Sequence, residues 1–170
     1  MTTQTHFRGL VETKTWTILN SKPGTPGRQA IATTRGQQVE AAAEELLLTH
    51  PNVESIETQV FNEEVDEFSN IDLVINTKSG ERVYVPCARD LWQGTSQQDR
   101  LQIIWAKRKA GVFERFNVVY LVLDDVRDIL EKQFTKRARR GVTIKNCCQT
   151  LATENTMMNI DQLWNYLDNV

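Results

Sequence analysis

Asp72 is the residue whose type and place most need an explanation. It lies inside the apolar stretch "IDLVINT" (71–77). Aspartate is poorly suited to strands, and burying its carboxylate without a partner is costly. It therefore either has a structural hydrogen-bond partner or does chemistry. A second carboxylate, Glu40, sits at the edge of the apolar face of "RGQQVEAAAEELLLTH" (35–50), whereas Glu44 and Glu45 project further toward solvent. Downstream, "VYVPCARDLWQG" (83–94) runs a strand into a turn, a junction where functional groups often collect. Other chemistries are poorly supplied. The histidines are His6 and His50 alone, so a His-dependent hydrolase triad is not expected. Cys87 has no histidine near it in sequence and reads as a packed thiol rather than a nucleophile.

These groups must be positioned by regular elements. Val39, Ala42, Ala43, Leu46 and Leu47 recur at helical spacing, and Pro51 ends that helix. "SIETQVF" (55–61) alternates as a strand, "NEEVDEFSN" (62–70) is an acidic turn, and "IDLVINT" is the next strand. "KSGE" with Gly80 turns a hairpin into "RVYVPCA" (82–88). Period-two alternation puts Asp72, Val74 and Asn76 on one face, and Arg82, Tyr84, Pro86 and Ala88 on another. A second helix covers 95–111, with Thr95 and Gln98 as a capping box, Ser96 as the alternative cap, and Gly111 as its stop. "FNVVYLVLDD" (116–125) is continuously apolar and reads as a buried central strand. Helices follow at 126–141 and 160–169. Before all of these, "TWTIL" (15–19) reads as a short strand, and the Pro- and Gly-rich 20–29 as a loop. The alternation predicts an α/β fold, a mixed β-sheet flanked by helices. Residues 1–34 form an N-terminal arm and loop, 35–125 the core, and 126–170 a C-terminal helical region of the same domain, for DNA contact or dimerisation.

Charge patterning adds a candidate surface. Lys132, Lys136, Arg137, Arg139, Arg140 and Lys145 crowd into "KQFTKRARRGVTIK", against a chain of net charge −2. Such a run suits phosphate contact or base reading, although its ordinary role is a solvated face. "WAKRKAG" (105–111) is a smaller basic patch, with Trp105 read as core. Arg89, Gln93, Thr95, Gln97 and Arg100 gather in the loop and helix start after the third strand, where free amides and polar side chains also suit phosphate.

Length and composition frame the rest. With 170 residues, the chain makes one ordinary domain with room for a sizeable core. No apolar run approaches the ~18 residues of a membrane span, and the N-terminus has no basic start followed by an apolar stretch. The odd cysteine count (Cys87, Cys147, Cys148), without metal-like pairing, suggests reduced thiols in the cytoplasm.

The order helix, three strands, helix, strand (αβββαβ) over 35–125 resembles the core of the PD-(D/E)xK nuclease superfamily, to which many restriction endonucleases belong. The resemblance implies a first-helix glutamate at Glu40 and a metal-binding aspartate at Asp72. It also implies an acidic-x-lysine pair at positions 86 and 88, where this chain has Pro86 and Ala88. Ala88 then reads as an inactivating replacement of lysine, as natural degeneration, or as an offset of register. In the implied site Mg2+ is held by Asp72, by Glu40 directly or through water, and by the backbone carbonyl of Cys87. Asp99, on the following helix, is a substitute for the missing acid at 86. The implied function is site-specific phosphodiester hydrolysis in double-stranded DNA by a homodimer or higher homo-oligomer, because cutting two strands needs two centres. Three alternatives share these residues: a non-catalytic DNA-binding or assembly module, a homing endonuclease, and an RNA-processing or repair nuclease.

Overall fold

A computed structural model describes residues 3–21, 28–60, 71–88, 95–123 and 144–170. In chain order the described elements are α1 (Thr3–Ser21), α2 (Arg28–Leu47), β1 (Val53–Val60), β2 (Ile71–Thr77), β3 (Arg82–Val85) and β4 (Cys87–Ala88). Then come α3 (Thr95–Lys109), α4 (Val112–Arg115), β5 (Asn117–Val118), β6 (Tyr120–Val122), α5 (Ile144–Thr153), β7 (Met157–Met158) and α6 (Ile160–Asp168). The fold is mixed α/β: a four-stranded sheet ordered β1-β2-β3-β5 continues into a three-stranded one ordered β4-β6-β7.

β1, β2 and β3 form an antiparallel meander. β3 then pairs in parallel with β5, β4 with β6, and β6 with β7. Main-chain bonds bridge the two sheets: Val119 N–H donates to Tyr84 O, and Leu121 N–H to Pro86 O, both at 2.9 Å. One continuous run of chain therefore carries β3 into β4, with a local break at Pro86. Proline is the physical cause, because it has no N–H to give to the parallel neighbour. The strand predicted over 82–88 is thus two strands.

Helices cover both faces. Phe7 and Val11 of α1, the predicted apolar face of α2, and Ile160, Leu163 and Leu167 of α6 pack on Leu73, Ile75, Val83, Val85 and Leu121. On the other side Ile104 of α3, Phe113 of α4, and Cys147, Cys148 and Leu151 of α5 pack on Val74, Val118, Tyr120 and Val122. The predicted central strand is β5 with β6, buried from Val118 to Leu123.

Three local expectations are met by the chemistry that motivated them. Gly80 has φ +94° in the β2–β3 turn, where Thr77 N–H donates to Glu81 O (2.9 Å) and Gly80 N–H to Thr77 O (3.1 Å). That is a three-residue hairpin loop with glycine at the left-handed position. Gly111, at φ +78°, ends α3 and starts α4. The terminal helix forms as α6, with a reciprocal capping box between Asn159 and Gln162.

Three others differ. "TWTIL" is not a strand but part of α1, and the first helix of the core begins at Arg28, seven residues before 35. Strand preference, though shared by Thr, Trp and Ile, is small and context-dependent, and Phe7 and Val11, both fully buried, dock α1 as a helix. The two faces assigned to the hairpin are one face: Val74 pairs with Tyr84 and Asn76 with Arg82, and directly opposed residues lie on the same side of a sheet. Finally, α5 and β7 have no counterpart among the predicted elements; the predicted helix 126–141 and the turn 62–70 lie outside the described residues.

Candidate functional site

The site is best built from the phase of the β2–β3 ladder. In an antiparallel pair, opposed residues alternate between hydrogen-bonded and non-bonded. The Thr77–Glu81 bond sets the phase. Counting two residues at a time, Leu73 and Val85 form a bonded pair, and the N–H of Cys87 faces β2. The carbonyls of Tyr84 and Pro86, in opposite phase, face β5 and β6, as their bonds to Val119 and Leu121 require.

Regular pairing would give the Cys87 N–H to the main chain of β2. Instead it donates to Oδ2 of Asp72 at 2.7 Å. The last β2–β3 pair is Leu73 with Val85, and Ile71 continues to pair with Val60 of β1 alone. β2 and β4 therefore part at Asp72, and the carboxylate fills the opening. Asp72 is half-buried there and Cys87 is buried. A short bond from a main-chain N–H to a carboxylate is of the stronger, charge-assisted kind.

Glu40 is half-buried on α2, beside the fully buried Val39 and one turn from Ala43. α2 packs on β2 and on β4, so the opening between those strands is the region that the two carboxylate-bearing elements share. They approach it from different layers. α2 belongs to the layer over Leu73 and Val85, whereas alternation puts Asp72 on the side of Val74.

The Cys87 thiol is buried in the α1–α2–α6 layer with its Sγ 3.6 Å from Val85 O, a packed side chain as expected. Ala88 ends β4, paired with Val122 of β6. Thr95, Gln97, Asp99 and Arg100 fall in the first turns of α3, and Lys145 in the first turn of α5. Arg89, Gln93, Lys136, Arg137, Arg139 and Arg140 lie outside the described residues. Among the described residues, no three His, Cys, Asp or Glu side chains converge as a metal cluster.

The smaller basic patch is held from below. Arg108 Nε donates to Glu154 Oε2 at 2.9 Å, and Lys109 Nζ lies 3.5 Å from Glu154 Oε1. The bond from Arg108, followed by the charges of Lys109 and Arg108, holds the Glu154 carboxyl below its usual range. Arg108 and Lys109 thus share an acidic partner that the sequence, with Glu154 some 45 residues away, does not reveal.

His50 has a role that the absence of a triad did not suggest. Its side chain is 1% exposed, and its Nε2 lies 2.8 Å from Asp168 Oδ1. Nδ1 accepts from Asn52 N–H at 3.0 Å, so the ring proton sits on Nε2 and is donated to Asp168. The Trp164 ring stands edge-on to it at 4.6 Å, and Asn52 Nδ2 donates to Leu167 O at 2.9 Å. This knot ties the end of α2 to α6.

No protein-family model, curated protein or solved structure matches the chain. No helix among the described residues is long and apolar enough to cross a membrane.

Proposed function

We propose that this chain is a DNA endonuclease of restriction type, with a restriction-endonuclease-like core, that hydrolyses phosphodiesters with Mg2+ and here lacks the lysine of its active site. One observation carries the reading: a half-buried carboxylate, Asp72, set where the β2–β3 ladder ends and bonded to the N–H of Cys87, the residue before Ala88. The donor chemistry fits Mg2+. Asp72 offers the oxygen that Cys87 does not use, and Glu40 lies on the helix packed against the same strands. With few protein ligands, most of the coordination shell would be water and main-chain oxygen, as Mg2+ prefers. When bound, the cation would lower the pKa of water and polarise the phosphate. The chain's own residues do the rest. Asp72 would hold the cation, and Glu40, on a helix of the other layer, would contribute only by reaching across the end of the β2 ladder. Thr95, Gln97 and Arg100 fall in the first turns of α3, soon after β4 in sequence, and such residue types at a helix N-terminus suit a phosphate. Position 88, as alanine, orients no attacking water, so binding and cleavage separate.

The test restores the missing group. Ala88→Lys should convert plasmid into defined fragments in Mg2+, while Asp72→Asn on top of it should leave plasmid intact and still bound. Intact plasmid with Ala88→Lys, in a folded protein, rejects the nuclease reading. Pro86 and Ala88 favour a second one: a DNA-binding or assembly module without catalysis. It predicts DNA retardation by both proteins, indifferent to Mg2+. In either case the partner is double-stranded DNA read by a homo-oligomer, and sedimentation with and without duplex measures the stoichiometry.

A further inference from the structure

Arg82, on β3, is held more closely than an exposed cation requires. Its side chain is 43% exposed, yet Nη1 donates to Glu57 Oε2 of β1 at 2.6 Å and to Asn76 Oδ1 of β2 at 3.3 Å. Nε donates to the Tyr84 hydroxyl at 3.3 Å, and Cζ lies over the Tyr84 ring, 5.5 Å from its centroid. Side chains from three strands thus fix one guanidinium. Ordering a long exposed side chain costs rotamer freedom, and one exposed ion pair returns little of it. Nη2 has no hydrogen-bond partner among the described residues. The aromatic base extends beyond Tyr84. The Phe116 ring meets it edge-on at 5.7 Å, and the Arg115 guanidinium lies over Phe116, 5.9 Å from that centroid. Tyr84 and Phe116 are half-buried, and Arg115 is exposed. The result is a row of guanidinium, ring, ring and guanidinium where β3 meets β5.

We propose that this row is a subsite for an unpaired nucleotide of a nucleic-acid strand, with the Arg82 guanidinium as its stacking plate. Unpaired bases stack on guanidinium planes as they do on aromatic rings. The N–H groups of a guanidinium lie in its plane. Glu57, Asn76 and the Tyr84 hydroxyl therefore hold its edges at Nη1 and Nε, and leave open the face turned away from Tyr84. Nη2 supplies two donors beside that face for a phosphate or a base edge. Arg115 adds positive charge at the far end of the row. An acidic peptide fits this surface less well. It needs donors and no plate, and Glu57 stands against the donors with a charge of the peptide's own sign. The subsite uses neither Asp72 nor a metal ion, so it is independent of whether the chain cleaves DNA.

Fluorescence anisotropy tests it, with a labelled DNA single strand of about twelve nucleotides, the full chain, low salt and EDTA. Circular dichroism checks that each variant keeps the fold. Arg82→Lys keeps the charge and removes the plate. It should weaken binding of the single strand about tenfold with the salt dependence unchanged. Arg82→Gln removes plate and charge, and should also lower the slope of log affinity against log salt by about 0.7. On a strand of abasic sites, which offers phosphate without bases, the native chain and Arg82→Lys should bind alike. On the same sequence as a duplex, whose bases are already stacked, Arg82→Lys should again match the native chain. Three results overturn the inference: no binding of the single strand by the native chain, a single strand bound equally by native chain and Arg82→Lys, or an equal loss by Arg82→Lys on the abasic strand or the duplex. Labelled polyglutamate bound as tightly as the single strand, with the same loss in Arg82→Lys, assigns the row to an acidic partner and overturns it too.

Discussion

Truncating Asp72 to alanine distinguishes a carboxylate that serves the fold from one that serves only chemistry. The side chain is half-buried and accepts one charge-assisted bond from a buried main-chain N–H. Such bonds contribute roughly 1.5–3 kcal/mol, and an orphaned buried donor costs ~1–3 kcal/mol. Alanine removes this acceptor of the Cys87 N–H, so Asp72→Ala should lose about 2 kcal/mol. For a domain of 150–250 residues each kcal/mol shifts Tm by roughly 2–4 °C, so thermal unfolding followed by circular dichroism should fall by about 4–8 °C. Asparagine keeps the acceptor as a neutral oxygen. Asp72→Asn should therefore lose only about 1 kcal/mol, the difference between a charged and a neutral bond. Urea melts should show the same order with an unchanged slope. A carboxylate kept solely for a cation behaves in the opposite way, because removing an uncompensated charge relieves the apo protein. An Asp72→Ala protein as stable as the native chain, or more so, would refute the strand-opening role.

Other perturbations test the surrounding structure. His50→Ala removes a buried bond to Asp168, the acceptor of Asn52 N–H, and an edge-on contact with Trp164, so it should cost about 3 kcal/mol in a urea melt. Thiol labelling probes α5: burial, and then the charge of neighbouring Cys147, push the Cys148 thiol up to about 12. At pH 8 Ellman's reagent should find Cys148 protonated and unreactive in the native chain and reactive once urea unfolds it. The same shift has a stability sign. The thiol's pKa is raised on folding, so the unfolded chain loses its proton first, and stability should fall as pH climbs from about 9 toward 12. Glu154→Gln frees Arg108 and Lys109. Its effect on stability should stay within about 1 kcal/mol, as for other exposed pairs, but DNA retardation should strengthen at low salt if this turn meets phosphate, and an unchanged affinity would remove the patch from the interface.

Elements whose pattern is dense and local were legible in the sequence. The apolar face of α2, the Gly80 hairpin, the buried run at β5 and β6, and α6 each carry their signal within one or two turns of chain. α1 was not legible, because its strand-like residues around Trp16 are overruled by the docking of Phe7 and Val11 against α2 and α6. β7 escaped for a different reason. Two residues, Met157 and Met158, make no period, and only pairing with β6 gives them a strand's conformation. For the site, the sequence marked Asp72 as a carboxylate in need of a partner but supplied no partner to name. The partner is a main-chain N–H at Cys87, and every residue except proline has one, so no residue type could advertise it.

What could be read in advance was Pro86, and its meaning changes with the ladder in view. As a member of a metal-binding quartet it is a loss, since it carries no oxygen on its side chain. As a member of the sheet it withdraws a hydrogen-bond donor from the β5–β6 side at the residue before Cys87. With Asp72 taking the next donor on the β2 side, the strand leaves the β2 ladder, while it stays joined to β6 through Leu121 N–H to Pro86 O and the pairing of Cys87 with Leu121. It follows that Pro86→Glu, made to complete the quartet, returns a donor facing β5 and β6 together with the acid. Combined with Ala88→Lys it should add less cleavage than an acid grafted without that donor. The comparison is Ala88→Lys alone against the double variant, in Mg2+ on plasmid, with the Cys87 amide followed in both. A double variant that cuts far faster while Cys87 keeps its bond to Asp72 would show that Pro86 contributes nothing to the opening.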